Sequence, residues 1–333
     1  MRQLLILCLF SLVSPCLAAD DSLVIVVNGG DSTVSIFAAT RITTGDPGLR
    51  PLKVLPTGKA PNETCISPDG KQAYVSNRGD ISVTTINLDS LTVASTITDA
   101  TMKNPDGCVV SPDGTRLYVA AAGGESVFVF STTFSTTFST TGGRKLNEIK
   151  VGHEPRRLLF SPDGSRLYVS NGEERSLSVI DPKSNRVIGQ VKTGRDPRPM
   201  AFTPDGKYLA VGNVSDDTVQ FVKAGASEPE FVVGVPRSPQ RLVVFPAREL
   251  LFTIGRFDNV LSILDLRATK EFGRLLTTLP VGRLPWGLAL SAAGDCLYVT
   301  NTGDNTISLI DLRLMRQGVT MATGKGPMGV AVR

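Results

Sequence analysis

Apolar and polar residues alternate along most of the chain in short runs bounded by turn residues. RLYVSN, ending at Asn171, is followed by SLSVID, ending at Asp181, and by VIGQVKTG, ending at Gly194. A period of two in runs rich in β-branched residues predicts strands. No stretch of ten or more residues keeps a helical period. The turns between runs repeat as well. SPDG stands at 67–70, 111–114 and 161–164, TPDG at 203–206, and degenerate copies at Phe245–Arg248 and Ser291–Gly294. Proline presets φ and glycine tolerates positive φ, so each copy predicts a tight turn between two strands.

Upstream of each turn lies an apolar run that begins just after a proline. These prolines are Pro61, Pro105, Pro155, Pro197, Pro239 and Pro285, and a seventh, Pro327, opens PMGVAV near the C-terminus. The steps between them are 44, 50, 42, 42, 46 and 42 residues. That is the length of a four-stranded propeller blade. The prediction is an all-β, seven-bladed β-propeller. The last run has no strands downstream to pair with, and SLVIVVNGGDSTVSIF (22–37) with Lys53 to Pro56 supplies them. The ring is therefore expected to close by pairing N-terminal strands with the C-terminal strand, which removes open edges.

The long step contains STTFSTTFSTTGG (131–143), a low-complexity insertion expected to protrude as a loop. Residues 1–19 combine Arg2, an apolar run from Leu4 to Val13 and small residues at Ala18 and Ala19. This is the pattern of a cleavable export signal, too short for a membrane span. The expected mature protein is one propeller over 20–333, periplasmic or secreted, with no membrane span. Cys65, Cys108 and Cys296 remain in it. An odd number inside apolar runs predicts buried free thiols. No Cys-x-x-Cys-His motif is present, which excludes covalently attached c-type haem.

The formal charge is +4, or +3 once Arg2 is removed, too mild to mark a nucleic-acid binder by itself. Its distribution says more. Two residues before each proline stand Lys59, Lys103, His153, Arg195, Arg237, Arg283 and Lys325. Arg156, Arg157, Arg198 and Arg241 follow the prolines within two positions, against the acids Glu63, Asp106, Glu154 and Asp196. Blades related by rotation turn such positions into a ring, so a basic channel mouth is expected, with Trp286 and Met328 opposite the arginines. The competing expectation is a structural collar. An acid stands between the second and third strands of every blade: Asp31, Asp80, Glu125, Glu174, Asp217, Asp258 and Asp304. Each can pair with a neighbouring base.

LYVSN, LYVTN and the recurrent G-x-x-P resemble the YVTN family of β-propeller repeat proteins, and Tyr298–Asn301 spells the namesake. The resemblance covers essentially all of 20–333. It implies the propeller fold and leaves function open among surface-layer modules, periplasmic proteins associated with quinoprotein dehydrogenases, and a DNA-binding envelope protein. In architecture it is also similar to haem d1 propellers and to seven-bladed lactonases.

Catalytic chemistry finds few residues. The chain has one histidine, His153, which rules out a multi-histidine zinc site. Asp216 and Asp217, or Asn301, Asp304 and Asn305, can supply oxygens to calcium, but such residues also favour hairpin turns for backbone reasons. No cofactor is expected. The leading expectation is a non-catalytic binding scaffold for an acidic small molecule or an acidic protein surface. One alternative is an accessory of quinoprotein-dependent oxidation, with a periplasmic dehydrogenase or cytochrome as partner. Another is a lactonase-like hydrolase, with His153 and Glu154 as acid–base pair and Arg157 stabilising the oxyanion. DNA binding by the arginines and Trp286 is a further one.

Overall fold

Each of the seven prolines begins an inner strand: Pro61–Ile66, Pro105–Val110, Pro155–Phe160, Pro197–Phe202, Pro239–Phe245, Pro285–Leu290 and Pro327–Val332. The structure is a computed structural model that describes residues 22–41, 47–133, 143–267 and 272–333. The segment 1–19 and most of the 131–143 insertion lie outside these. Seven four-stranded antiparallel sheets form the ring. Six are built from consecutive strands, and the first to sixth blades begin at Pro61, Pro105, Pro155, Pro197, Pro239 and Pro285. In the seventh, Pro327–Val332 pairs with Leu23–Asn28, followed by Thr33–Arg41 and Pro47–Pro56. Val24, Ile25 and Val26 lie opposite Val332, Ala331 and Val330. The one helical turn among the described residues, Pro246–Arg248, replaces the degenerate fifth-blade turn. No described helix is long and apolar enough to cross a membrane.

Both faces of each sheet are buried, one against each neighbour. Leu23, Ile25 and Val27 pack with Val75 and Ile86 of the first blade. Val24 and Val26, between them in sequence, pack with Tyr298 and Ile307 of the sixth. Two buried faces are why the second strands read as nearly unbroken apolar runs such as LYV.

The Asn that ends LYVSN and the Gly of G-x-x-P are two halves of one contact. Asn28, Asn77, Asn171, Asn213 and Asn301 each donate Nδ2 to side chains of the third strand, as Asn301 does to Thr306 Oγ1 at 3.0 Å and Ser308 Oγ at 2.8 Å. The paired glycines Gly324, Gly58, Gly152, Gly194 and Gly282 lie against these carboxamides. A Cβ on any of them would come within 2.5–2.7 Å of an Asn Cγ. The two blades without the Asn also lack the Gly. The second carries Ala121 with the fully buried Met102. The fifth carries Gly255 with Pro236, and a Cβ on Gly255 would meet Pro236 Cβ at 2.6 Å. Bulk lost on one side returns on the other, as close packing requires.

The inner strands are irregular at their start. The ladder to the second strand shifts register just after the proline in every blade, for example between Pro155 and Leu158 and between Pro239 and Leu242. Proline has no N–H to give the ladder, and a bulge there re-aims the residues that follow. The residue before each proline is left-handed, with φ between 46° and 63° at Ala60, Asn104, Glu154, Asp196, Ser238, Leu284 and Gly326. Its carbonyl accepts the N–H of the residue after the second strand, as the Ser238 carbonyl does from Arg256 and the Glu154 carbonyl from Gly172.

The expected free thiols are corrected at two positions. Cys65 and Cys108 form a disulfide with a Cα separation of 5.9 Å, while Cys296 is buried. They lie 43 residues apart, but the ring sets the inner strands of adjacent blades side by side.

Gly282→Ala is expected to cost about 1–3 kcal/mol in urea unfolding, as overpacking against Asn301. In an Asn301→Ala background the same change should cost clearly less. Equal costs in both backgrounds would show that Gly282 and Asn301 are not matched.

Candidate functional site

The basic positions divide into two shells. The outer shell holds the seven residues two before the prolines, all with exposed side chains. Here the structural collar accounts for most of what is seen. Arg195 pairs with Asp216 at 2.5 Å, Arg237 with Asp258 at 2.7 Å and Arg283 with Asp304 at 2.6 Å. In the fourth blade the partner is Asp216 rather than the expected Asp217, which instead accepts the Ser238 N–H at 2.8 Å. The acids also accept backbone N–H groups, Asp80 from Lys59 and Asp31 from Lys325, both at 2.6 Å. Each loop acid thus ties its loop to the approach of an inner strand. Side-chain and backbone hydrogen bonds from Arg237 hold the Asp258 carboxyl below its ordinary range.

His153 belongs to this collar. Its Nδ1 lies 2.9 Å from Glu125 Oε1, and its backbone N–H donates to Glu174 Oε1 at 2.9 Å. Glu154 is engaged elsewhere, by Arg156. The acid–base pair of His153 and Glu154 expected for hydrolysis is therefore not assembled. Lys59, Lys103 and Lys325 have no side-chain carboxylate partner among the described residues.

The inner shell follows the prolines and lines the channel. Arg157, Glu63 and Arg241 border an axial cavity of about 220 Å³ with Thr64, Leu158 and Leu242. Glu63 Oε2 is held by both Arg157 and Arg241, the latter reaching from the fifth blade to the first. Asp106 accepts Asn62 Nδ2 at 2.6 Å and pairs with Arg156 at 3.0 Å and Arg157 at 3.5 Å. Arg198 pairs with Asp196 at 2.8 Å. Burial by itself would raise the Asp106 carboxyl. The guanidinium charges of Arg157, Arg78 and Arg156 outweigh burial, and the net displacement is downward. Burial, then repulsion from Arg241, pulls Arg157 down to about 10, so it keeps its charge at neutral pH.

Trp286 is buried, and its ring carries the Arg256 guanidinium at 4.4 Å. That ring face is taken by an arginine and is no open platform for a nucleobase. Arg78 and Arg256 were missed by aligning only on the prolines. Both sit directly after a second strand, where the other blades carry Gly29, Ala122, Gly172, Val214 and Thr302. Aligning on the second-strand ends brings them out. With them, six arginines face Glu63, Asp106, Glu154 and Asp196 around the channel. Neither Arg78 nor Arg256 has an ion-pair partner among the described residues.

The sequence model of a family described as "Lactonase, 7-bladed beta-propeller" matches residues 137–230. No curated protein matches the chain. Among solved structures, periplasmic gluconolactonase of Pseudomonas aeruginosa is 18% identical, with a TM-score of 0.78 over 93% of this chain and 99% of that one. A putative 6-phosphogluconolactonase of Bacteroides fragilis is 17% identical, with a TM-score of 0.77 over 94% and 98%. Hydrazine synthase of Kuenenia stuttgartiensis is 22% identical, with a TM-score of 0.68 over 81% and 88%. At these identities the likeness establishes the seven-bladed fold.

The two shells should respond differently to mutation. Arg157→Ala leaves Glu63 and Asp106 under-compensated and is expected to cost about 3–5 kcal/mol. Arg195→Gln, in an exposed pair, should cost under about 1 kcal/mol. Because the folded pKa of Asp106 is depressed, its stabilisation is complete above the ordinary aspartate value of about 4 and is lost as pH falls. Arg157→Ala should flatten that acid limb in urea titrations across pH, and an unchanged limb would contradict the assignment.

Proposed function

We propose that the propeller is an exported protein that binds a small organic anion at the mouth of its channel. One observation carries this reading. Arg156 Nε, Arg157 Nε, Arg256 Nε and Trp286 Nε1 are buried donors with no acceptor among the described residues, in blades whose arginines outnumber their carboxylates at the channel. Buried donors are rarely left unpaired without a reason, and a cluster of them calls for an acceptor. A concave site with a net positive charge also concentrates counter-ions. The Cys65–Cys108 disulfide supports an oxidising compartment, in line with the export pattern of residues 1–19.

Lactone hydrolysis is the second reading, favoured by the family match over 137–230, which spans Arg156, Arg157 and Arg198. The carboxylate at the cavity is Glu63, which would take a proton from water as the hydroxide adds to a lactone carbonyl held by Arg157 and Arg241. The opening ring oxygen would then recover that proton. Glu63 Oε2 is occupied by the two arginines, and Oε1 accepts the Thr64 N–H at 3.2 Å. Activation of water would require the ligand to displace these partners, so binding ranks first.

Calorimetry with gluconate as the anionic probe tests both. Binding should weaken with rising salt, fall about tenfold or more in Arg241→Gln, and persist in Arg195→Gln. Equal loss in the two variants would move the site to the collar. Opening of gluconolactone that drops about 100-fold in Glu63→Gln would favour hydrolysis.

A further inference from the structure

Arg256 distinguishes one quadrant of the mouth. Its guanidinium lies 4.4 Å from the Trp286 ring centroid and 5.9 Å from that of Phe257. Its backbone is fixed by the Ser238 carbonyl at 3.2 Å. No carboxylate among the described residues pairs with it, and its Nε is buried without an acceptor. The charge that acts on it is of like sign. Burial first, and Arg198 second, press its pKa below the usual arginine value. Its stacked position still costs desolvation, which the rings repay only in part.

A guanidinium held against aromatic rings is pre-organised. Its charge lies 4.4 Å from the Trp286 ring centroid, while its Nη1 and Nη2 edge can present paired N–H donors to one carboxylate. The surroundings of that edge are unusual for a charged mouth. Phe257 is 56% exposed and Leu284, two residues before Trp286, is 38% exposed. Their loops are joined, because Leu284 N–H donates to the side-chain Oδ1 of Asn259, two residues after Phe257, at 2.8 Å. Apolar side chains left in water beside an unpaired cation suit a ligand with both characters.

We infer that Arg256 reads the carboxylate of an organic acid with an apolar or aromatic body, and that Phe257 and Leu284 receive that body. Arg198 supplies the second positive charge. The inference rests on the mouth being an anion site, and it adds the class of anion. A polyol acid such as gluconate would leave Phe257 and Leu284 exposed to water and gain nothing from them.

Trp286 is the sole tryptophan of the chain, so its emission reports this quadrant without labelling. The full-length protein is titrated at low salt with phenylacetate, and gluconate is measured in parallel by calorimetry. Phenylacetate should give a saturable change in emission and bind at least about tenfold more tightly than gluconate. Arg256→Gln should weaken phenylacetate at least about tenfold more than it weakens gluconate. Phe257→Ala, at an exposed position, should remove the preference and leave gluconate binding unchanged. Gluconate binding as tightly as phenylacetate, or a preference that survives Phe257→Ala, would overturn the inference while the anion site stands. Failure of both anions to bind would overturn the anion site as well.

Discussion

The pairing of Pro327–Val332 with Leu23–Asn28 is the contact on which the rest of the molecule depends. It joins the two ends of the chain, so no sheet is left with an unpacked face. Val24 and Val26 then complete one interface and Ile25 and Val27 the next. Without this strand the seventh blade would lose its inner edge, and both neighbouring cores would open to water. Closure also dictates what happens on the axis. Seven inner strands must converge, and the bulges after their prolines turn the following side chains into a narrow space.

That convergence explains why similar residues end in different roles. Arg195 and Arg198 are three positions apart, yet one lies on an exposed collar and the other on the channel wall. On the collar, water screens the charges, and the loop acids act chiefly as acceptors for backbone N–H groups. On the wall, desolvation is large, and each guanidinium must be met by a carboxylate, a ring or a ligand. Glu63 serves two arginines at once, and Arg157 stays charged although burial and Arg241 oppose it. Arg78 adds its charge to those acting on Asp106, and the excess falls on Arg256.

The blade architecture was legible because its signals are local. Proline at a strand start, glycine at positive φ and alternating apolar positions act within a few residues, and repetition averages out degenerate copies such as Phe245–Arg248. The loop acids were also readable as partners of the ring, although Asp216 takes the place of Asp217 and Lys59, Lys103 and Lys325 find no side-chain carboxylate among the described residues. The Gly282–Asn301 match was present in the sequence as two motifs but carried no meaning until the contact joined them. The Cys65–Cys108 bond was misread because 43 residues separate its ends and parity favoured free thiols. Glu154 stood next to His153 in sequence, but a left-handed residue before the proline sends the two side chains to different partners.

The sequence by itself determined the strands, the turns, the number of blades and the way the ring closes, because each follows from short-range sterics and periodicity. Tertiary structure alone decided which charges are buried and which cation is left without a partner. It also showed that Trp286 is covered and that Arg256 belongs to the mouth. Those outcomes depend on residues from opposite blades meeting at the axis, as Arg241 and Glu63 do across 178 positions of chain. Desolvation acts on where a group lies in space, and neither spacing nor composition records that.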